Sequence, residues 1–128
     1  MIDASAAVEW LLRLPLGPPV EERISRADTL HAPHLLAVEV AQVIRRYVLS
    51  GQIRPDRGAE AIADLADLDV DHHPHEPLLP TMWRLHRNLS AYDAAYVSLA
   101  EVLEAPLLTL DAGIAAAPGH RAVVDLVR

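Results

Sequence analysis

The sequence predicts an α/β fold, in which a short, mostly parallel sheet is flanked by helices. Short apolar segments alternate along the chain with longer segments whose apolar residues recur at helical spacing, a pattern typical of parallel sheets. Hydrophobic residues make up 52% of the chain and charged residues 23%, so a sizeable core can form. The 128 residues contain no repeat or linker, and we therefore expect one domain spanning residues 1–128.

The first quarter of the chain is predicted to contain two helices and two very short strands. Met1–Ile2 can form only the stub of a strand, and Ser5–Arg13 (SAAVEWLLR) is predicted to be a helix. After the loop Leu14–Pro19 we expect a short helix at Val20–Arg26 and a brief strand at Thr29–Ala32.

The middle of the chain carries the clearest helical periodicity. Within His34–Ser50, apolar residues recur close to every 3.6 positions, and the following glycine is a natural C-cap. The segment Pro55–Leu68 opens with proline and aspartate, which favour the first turn of a helix. Asp69–His73 is a possible strand, and Glu76–Asn88 is predicted to be a helix with Pro80 in its first turn.

The C-terminal part contains the most apolar segment of the chain. Ser90–Glu104 is predicted to be a helix and Leu107–Leu110 a buried strand. A helical turn at Ala112–Ala116 and a last strand at Ala122–Leu126 (AVVDL) complete the alternation.

The composition excludes several kinds of chemistry. The chain has no cysteine, which excludes disulfides, thiol catalysis and cysteine-bound zinc, and fits a reducing cytoplasm. It has no lysine, which excludes Schiff-base catalysis and the P-loop lysine. The net charge of −7 argues against a broad phosphate-binding surface, but allows a nucleic-acid enzyme that uses a bound cation and a few arginines. No stretch is predicted to be a membrane span or a signal peptide.

Four carboxylates are expected to meet at one edge of the sheet. Asp3 and Asp111 each follow a predicted strand, Asp93 lies in the first turn of a helix, and Glu39 lies one turn into another helix among apolar neighbours. Ligands of open α/β sheets bind beyond the carboxyl ends of the strands. Oxygen-only ligands select hard cations such as Mg²⁺ or Mn²⁺. The sequence therefore predicts a metal site that suits phosphoryl chemistry.

Each of these acids also has an ordinary structural interpretation. Asp93 completes a capping box with Ser90, and Asp111 can cap the turn that follows it. Glu39 can be a solvated helix residue, and Asp3 a turn residue. The metal-site prediction therefore depends on the four side chains acting together.

The chain also resembles the PIN-domain family, and within it the VapC-type toxin ribonucleases. The similar stretches are IDASAAVEWLL, HAPHLLAVEVAQVIRR and LSAYDAAYVSLAEVLEAPLLTLD, and they span nearly the whole chain. The resemblance implies a PIN-like three-layer fold and Mg²⁺- or Mn²⁺-dependent cleavage of RNA. It further implies a homodimer, a cognate VapB-like antitoxin, a supporting role for Ser5 and a set of acidic metal ligands: Asp3, Glu39, Asp93 and Asp111.

Other polar and aromatic residues have weaker functional interpretations. Arg84 and Arg87 lie about one turn apart before the last motif, where they could steer RNA phosphate towards the metal or simply form a solvated helix face. Trp10 and Trp83 are expected to be core or dimer contacts.

Three alternatives stay open at this point. The segment DHHPH (71–75) and the pair His31 and His34 could bind zinc, although their spacing matches no closed zinc motif. The stretch LDVDHH (68–73) could belong to an aspartyl-nucleophile phosphatase, although no lysine follows it. The acidic cluster could also serve a non-catalytic module that binds a basic protein.

Overall fold

The sheet of this computed structural model, which describes residues 1–128, consists of two parallel pairs joined by the N-terminal residues. The strands are β1 (His31–Pro33), β2 (Asp71–His73), β3 (Leu107–Thr109) and β4 (Val124–Leu126), and β1 pairs with β2 while β3 pairs with β4. Ile2 forms a parallel bridge with Leu108, and its N–H donates to the carbonyl of His31 at 3.1 Å. These pairings give the order β2, β1, Ile2, β3, β4, with all strands parallel.

Seven α-helices connect and cover these strands. They are α1 (Ala4–Leu11), α2 (Gly17–Ser25), α3 (Leu35–Leu49), α4 (Pro55–Asp67), α5 (Leu79–Arg84), α6 (Ala91–Leu103) and α7 (Ala112–Ala116). A 3₁₀ turn at Glu76–Leu78 precedes α5. The predicted α/β alternation is therefore confirmed, and none of the helices combines the length and apolar content needed to cross a membrane.

Local sequence signals explain where several helices begin and end. Asp3 caps α1 by accepting the N–H of Ala6, and Ser90 caps α6 by accepting the N–H of Asp93. Helix α6 ends at Glu104, which adopts the left-handed conformation with φ of 51°. Asp111 caps α7 through the N–H of Gly113. Two of the four predicted metal ligands are thus helix caps, and a third lies in a first turn.

The structure corrects several predicted boundaries. Helix α1 stops at Leu11, because the chain turns through a left-handed residue at Arg13 with φ of 55°. Helix α2 begins three residues earlier than predicted, because two prolines fit its first turn. The predicted helix Glu76–Asn88 is split into the 3₁₀ turn and the six-residue α5, since Pro77 and Pro80 cannot donate helical hydrogen bonds.

The core lies along α6 and the two strands on either side of Ile2. Every residue of α6 from Ala94 to Ala100 is buried, so this helix is covered on all sides. Ile2, Leu36 and Leu107 have no exposed surface. Trp83 lies outside the core, with 71% of its surface exposed, so only the dimer-contact part of its prediction stays open; Trp10 is half-buried and packs against the core.

Candidate active site

The central position of Ile2 places Asp3 at the carboxyl edge of the sheet. The backbone N–H of Asp3 donates to the carbonyl of Leu108 at 3.2 Å, which aligns the start of the chain with β3. Because Asp3 is also the cap of α1, its side chain lies where a strand ends and a helix begins. Ligands bind to α/β sheets at such edges.

The Asp3 carboxylate is buried and fully hydrogen-bonded. Only 5% of the residue is exposed. One oxygen, Oδ1, accepts from Ser5 Oγ at 2.7 Å and from the N–H of Ala6 at 3.1 Å. The other oxygen, Oδ2, accepts from the hydroxyl of Thr109 at the end of β3. Buried charges persist in proteins only when they are satisfied in this way, so these donors fix the carboxylate in one orientation.

Ser5 and Thr109 also connect the two strand ends to each other. Ser5 Oγ accepts the N–H of Leu110 at 2.9 Å, and Thr109 Oγ1 accepts the N–H of Asp111 at 3.0 Å. The same hydroxyls therefore hold both Asp3 and the backbone that leads into Asp111. This placement agrees with the supporting role that the family resemblance implies for Ser5.

Glu39 is half-buried rather than solvated. Its Oε1 accepts a hydrogen bond of 2.5 Å from the hydroxyl of Tyr96, which is buried in α6. Burial raises the pKa of Tyr96, and the acceptor Glu39 raises it further, so the phenol stays protonated and donates. The bond joins α3 to α6 across 57 positions of sequence.

The four acids influence one another electrostatically. Burial raises the pKa of Asp3, against the hydrogen bonds that it accepts, and the charge of Asp111 raises it further. Burial likewise raises the pKa of Asp93, with Asp111 again adding to the effect. Burial is also the largest cause of the raised pKa of Glu39, to which the charges of Asp93 and Asp3 contribute. Like charges so placed favour protonation or a bound cation.

The donor set fits a hard divalent cation, although the side chains do not yet converge. All four side chains offer only carboxylate oxygens, which Mg²⁺ and Mn²⁺ prefer. No three acidic or histidine side chains surround one point closely enough to hold an ion as they stand. Asp3 and Glu39 are turned towards their hydroxyl donors, whereas the exposed carboxylate of Asp111 accepts one bond, from the N–H of Gly113 at 2.7 Å. An ion would therefore have to draw the more exposed carboxylates of Asp93 and Asp111 towards the fixed carboxylate of Asp3.

The two arginines predicted to contact substrate differ in their surroundings. Arg84 donates to Glu101 Oε2 at 2.7 Å and to the carbonyl of Gly119 at 2.7 Å, so it joins α5 to the segment before β4. Arg87 is exposed and forms no ion pair. Arg84 therefore has a structural role, and only Arg87 is free to meet a phosphate.

Two residues of the site were not predicted from the sequence. Thr109 and Tyr96 supply the hydroxyls that orient Asp3 and Glu39. The available signal was a single polar residue within an apolar strand (LLTL, 107–110) and a tyrosine three positions after Asp93 in a helix of small residues. Both residues are also consistent with ordinary core packing, so the sequence alone did not identify them as part of the site.

The largest cavity of the molecule lies elsewhere. It has a volume of about 650 Å³ and lies between α1, α2 and α4, with Trp10, Arg13 and Asp64 among its lining residues. Binding sites often coincide with the largest cavity. Here the chemistry favours the shallower acidic edge, because the perturbed carboxylates are there.

Comparison with known proteins identifies the family of the chain and supports its fold. The family model described as PIN domain matches residues 1–119. Ribonuclease VapC1 of Mycobacterium tuberculosis H37Rv is 39% identical over 129 residues, covering 100% of this chain and 97% of that protein. Ribonuclease VapC12 of the same strain is 38% identical, covering 99% of this chain and 98% of that protein.

Two further matches are proteins of Pyrobaculum aerophilum. Ribonuclease VapC3 of Pyrobaculum aerophilum is 30% identical over 119 residues, covering 90% of this chain and 91% of that protein. The crystal structure of PAE2754 from the same organism superimposes with a TM-score of 0.71 at 20% identity, covering 98% of this chain and 81% of that chain. That structure supports the fold alone. The family model and the full-length relatives together show that this chain belongs to the PIN-domain family and to its VapC group.

Proposed function

We propose that the chain is a Mg²⁺- or Mn²⁺-dependent endoribonuclease, the toxin of a VapBC-type toxin–antitoxin pair. The observation that carries the proposal is the placement of Asp3 and Asp111 as helix caps where strands end at the carboxyl edge of the sheet. Burial raises the pKa values of Asp3, Glu39 and Asp93, and the charges of neighbouring acids add to the effect. The substrate class comes from relatives whose names call them ribonucleases.

The roles of the side chains follow from their surroundings. Asp3, Asp93 and Asp111 would hold the ion, and Glu39 would bind it directly or through water. When bound, the ion supplies positive charge that activates water and stabilises charge on the phosphate. Ser5 and Thr109 keep the Asp3 carboxylate in place, and Tyr96 does the same for Glu39. No side-chain nucleophile is required, and we expect products with 5′-phosphate and 3′-hydroxyl ends.

The first experiment is cleavage of total cellular RNA by the purified chain with Mg²⁺ or Mn²⁺, with EDTA, and with the Asp93→Asn variant. We expect a few discrete fragments that disappear with EDTA and with the variant. Asp64→Asn is a matched control, because Asp64 is an exposed acid on α4 outside the cluster. Unchanged cleavage by Asp93→Asn would defeat the assignment. Intact RNA in every lane, from folded protein free of antitoxin, would favour a non-catalytic binding module.

Arg87 is the better of the two candidate phosphate contacts. Its guanidinium has no acidic partner, whereas that of Arg84 is held by Glu101 and Gly119. A phosphate contact contributes about one unit to the slope of log affinity against log salt. We therefore expect Arg87→Gln to weaken RNA binding and reduce this slope by about one unit. Equal binding and an unchanged slope would exclude the contact.

We also propose two protein partners: a second copy of the chain and a VapB-like antitoxin. We propose that the chain binds both of them in the cytoplasm. Large apolar side chains are exposed on α5 and α6, including Leu79 (52%), Trp83 (71%) and Val102 (61%), and surfaces of this kind are commonly buried in interfaces. Light scattering coupled to size exclusion should give twice the mass of 14.0 kDa. The chain co-expressed with its cognate VapB-like antitoxin should co-purify with it and lose its RNA cleavage.

The phosphatase alternative has little support. Asp71 lies on β2 with its side chain 3.9 Å from His31 Nδ1, and Asp69 is exposed before the strand. The basic residue that such a nucleophile needs would have to be arginine, because the chain has no lysine.

A further inference from the structure

Five of the seven histidines lie on or beside the pair of strands β1 and β2. They are His31, His34, His72, His73 and His75. The register divides this group into two faces. His31 is paired with Asp71, and His73 is two residues further along β2, so these three side chains share one face. His72 lies between them in sequence and points to the opposite face.

The three side chains on the shared face bring their donor atoms close together. His31 Nδ1 is 2.9 Å from His73 Nε2, and it is 3.9 Å from Asp71 Oδ2. The other nitrogen of His31, Nε2, is 2.9 Å from the hydroxyl of Thr29. When that Nε2–H donates to Thr29, the lone pair of His31 Nδ1 faces His73 and Asp71.

This arrangement matches the surroundings of histidine ligands to transition metals. A ligating histidine almost always donates its second N–H to a hydroxyl, carbonyl or carboxylate, as His31 can donate to Thr29. In a tetrahedral site with metal–nitrogen distances of about 2.05 Å, neighbouring donor atoms lie about 3.3 Å apart. The observed separations of 2.9 and 3.9 Å lie on either side of this value.

We propose that His31, His73 and Asp71 form a second cation site, which binds Zn²⁺ or a similar borderline metal ion and is distinct from the acidic cluster. Imidazole suits Zn²⁺, Ni²⁺, Co²⁺ and Cu²⁺, whereas Mg²⁺ prefers oxygen ligands alone. The ion takes the place of the proton on His73 Nε2, and this neutral imidazole carries its proton on Nδ1 instead. Water completes its coordination, because the site opens to solvent: the side chain of Asp71 is 67% exposed and that of His31 is 23% exposed.

Binding requires the three side chains to reorient. The three groups do not surround a single point at ligand distance as they stand. The two imidazoles, now hydrogen-bonded to each other, have to turn so that both lone pairs face the ion, and Asp71 has to change its rotamer at the surface. The bound ion would tie the three-residue β2, an edge strand, to β1 in a chain that has no disulfide.

The test is calorimetric titration of the tag-free chain with Zn²⁺ in a large excess of Mg²⁺, which occupies the acidic cluster. We expect one saturable site. Zn²⁺ at about a hundredfold excess over its Kd should raise the thermal midpoint by on the order of 10 °C, and further Mg²⁺ should not. Thr29→Val removes the hydroxyl that orients His31 and should weaken Zn²⁺ binding by about 10–100-fold. His73→Gln removes a ligand and should weaken it more.

His72→Gln is the matched control, because it removes the same residue type from the same strand but from the opposite face. It should leave Zn²⁺ affinity unchanged. Asp71→Asn provides a variant at an exposed position in case His73→Gln fails to fold, and it should weaken binding. The proposal is overturned if Zn²⁺ does not bind saturably, if His72→Gln weakens binding as much as His73→Gln, or if Asp93→Asn abolishes it.

Discussion

The hydroxyl of Thr109 offers the sharpest test of how the acidic site is held. It donates to the Asp3 carboxylate and accepts the N–H of Asp111. Thr109→Val removes the hydroxyl but keeps the shape of the side chain, so no cavity forms in this fully buried position. The change therefore removes these two hydrogen bonds, together with a longer contact of 3.4 Å to Ser5 Oγ.

The expected loss of stability can be worked out from these contacts. A hydrogen bond to a charged group contributes about 1.5–3 kcal/mol. Loss of the acceptor for Asp111 N–H adds about 1 kcal/mol, the low end of the range, because Asp111 is exposed and water can replace the bond. The added methyl offsets about 0.8 kcal/mol by burial. The free energy of unfolding should fall by about 2–3 kcal/mol, which moves the urea midpoint down by roughly 1–2 M.

The loss should depend on pH, because the stronger bond is made to the ionised Asp3. When an acid has a higher pKa in the folded state than in the unfolded state, the folded state loses stability as pH rises from the unfolded pKa to the folded pKa. Removing a donor raises the pKa of Asp3 further, so the variant loses additional stability at alkaline pH. As pH falls towards the ordinary value of 3.8, Asp3 takes up a proton in both folded proteins, and the difference between them should shrink.

The assay is urea denaturation of the wild type, Thr109→Val and Thr109→Ser at pH 8 and pH 4, without divalent cations. Thr109→Ser keeps the hydroxyl, so its loss should be smaller at pH 8 and nearly independent of pH. Cleavage by Thr109→Val should fall by about 10–100-fold, the usual effect of losing a group that orients a ligand. The reasoning is refuted if Thr109→Val loses the same stability at both pH values, or no more than Thr109→Ser at pH 8.

Three further predictions concern charge and packing. Asp93→Asn should make the cation-free chain more stable above pH 4, because it removes a carboxylate whose pKa is raised by burial and by the charge of Asp111. Mg²⁺ should no longer raise the thermal midpoint of this variant. A decrease in its cation-free stability would contradict the prediction. Burial raises the pKa of Glu101, but the hydrogen bonds from Arg121 N–H and Arg84 outweigh burial and lower it. Glu101→Gln should therefore reduce the free energy of unfolding by about 1–2 kcal/mol at pH 7. This figure allows for solvent screening around the exposed Arg84. That loss should disappear as pH falls below the ordinary value of 4.5, and a loss that persists at pH 3 would exclude the ionic explanation. Gly58→Ala would place its Cβ 2.6 Å from Val48 Cγ2, and this clash between α3 and α4 should reduce stability by about 1–3 kcal/mol in thermal denaturation, whereas exposed Ala59→Ser nearby should change it little.

The sequence predicted the fold because the fold depends on local patterns, and the acidic metal site stays a prediction drawn from the same patterns. Helical periodicity and caps such as Ser90 and Asp111 operate within a few residues. Parallel strands place their carboxyl ends at one edge, so acids that follow strands were expected to gather there. The motifs shared with the PIN-domain family added the likeness to ribonucleases, and the match over residues 1–119 agrees with it.

Short elements were predicted less well than long ones. The helix of thirteen residues at α6 was predicted within a residue or two of its bounds, whereas the segment around α5 was assigned a helix twice its length. Prolines and irregular turns there remove backbone hydrogen bonds, and the remaining apolar pattern still resembles a helix.

Only the tertiary structure decided which side chains act on one another. Thr109 reaches Asp3 across 106 positions, Tyr96 reaches Glu39 across 57, and His73 reaches His31 across 42. The hydrogen bond from Arg84 to Glu101 likewise depends on how distant segments pack, whereas the sequence had suggested a contact between Arg84 and substrate. The sequence by itself determined the elements and the residue types at their ends, because periodicity and capping act over short distances along the chain. The partners of each charged group depend on strand register and helix packing, which no local pattern encodes.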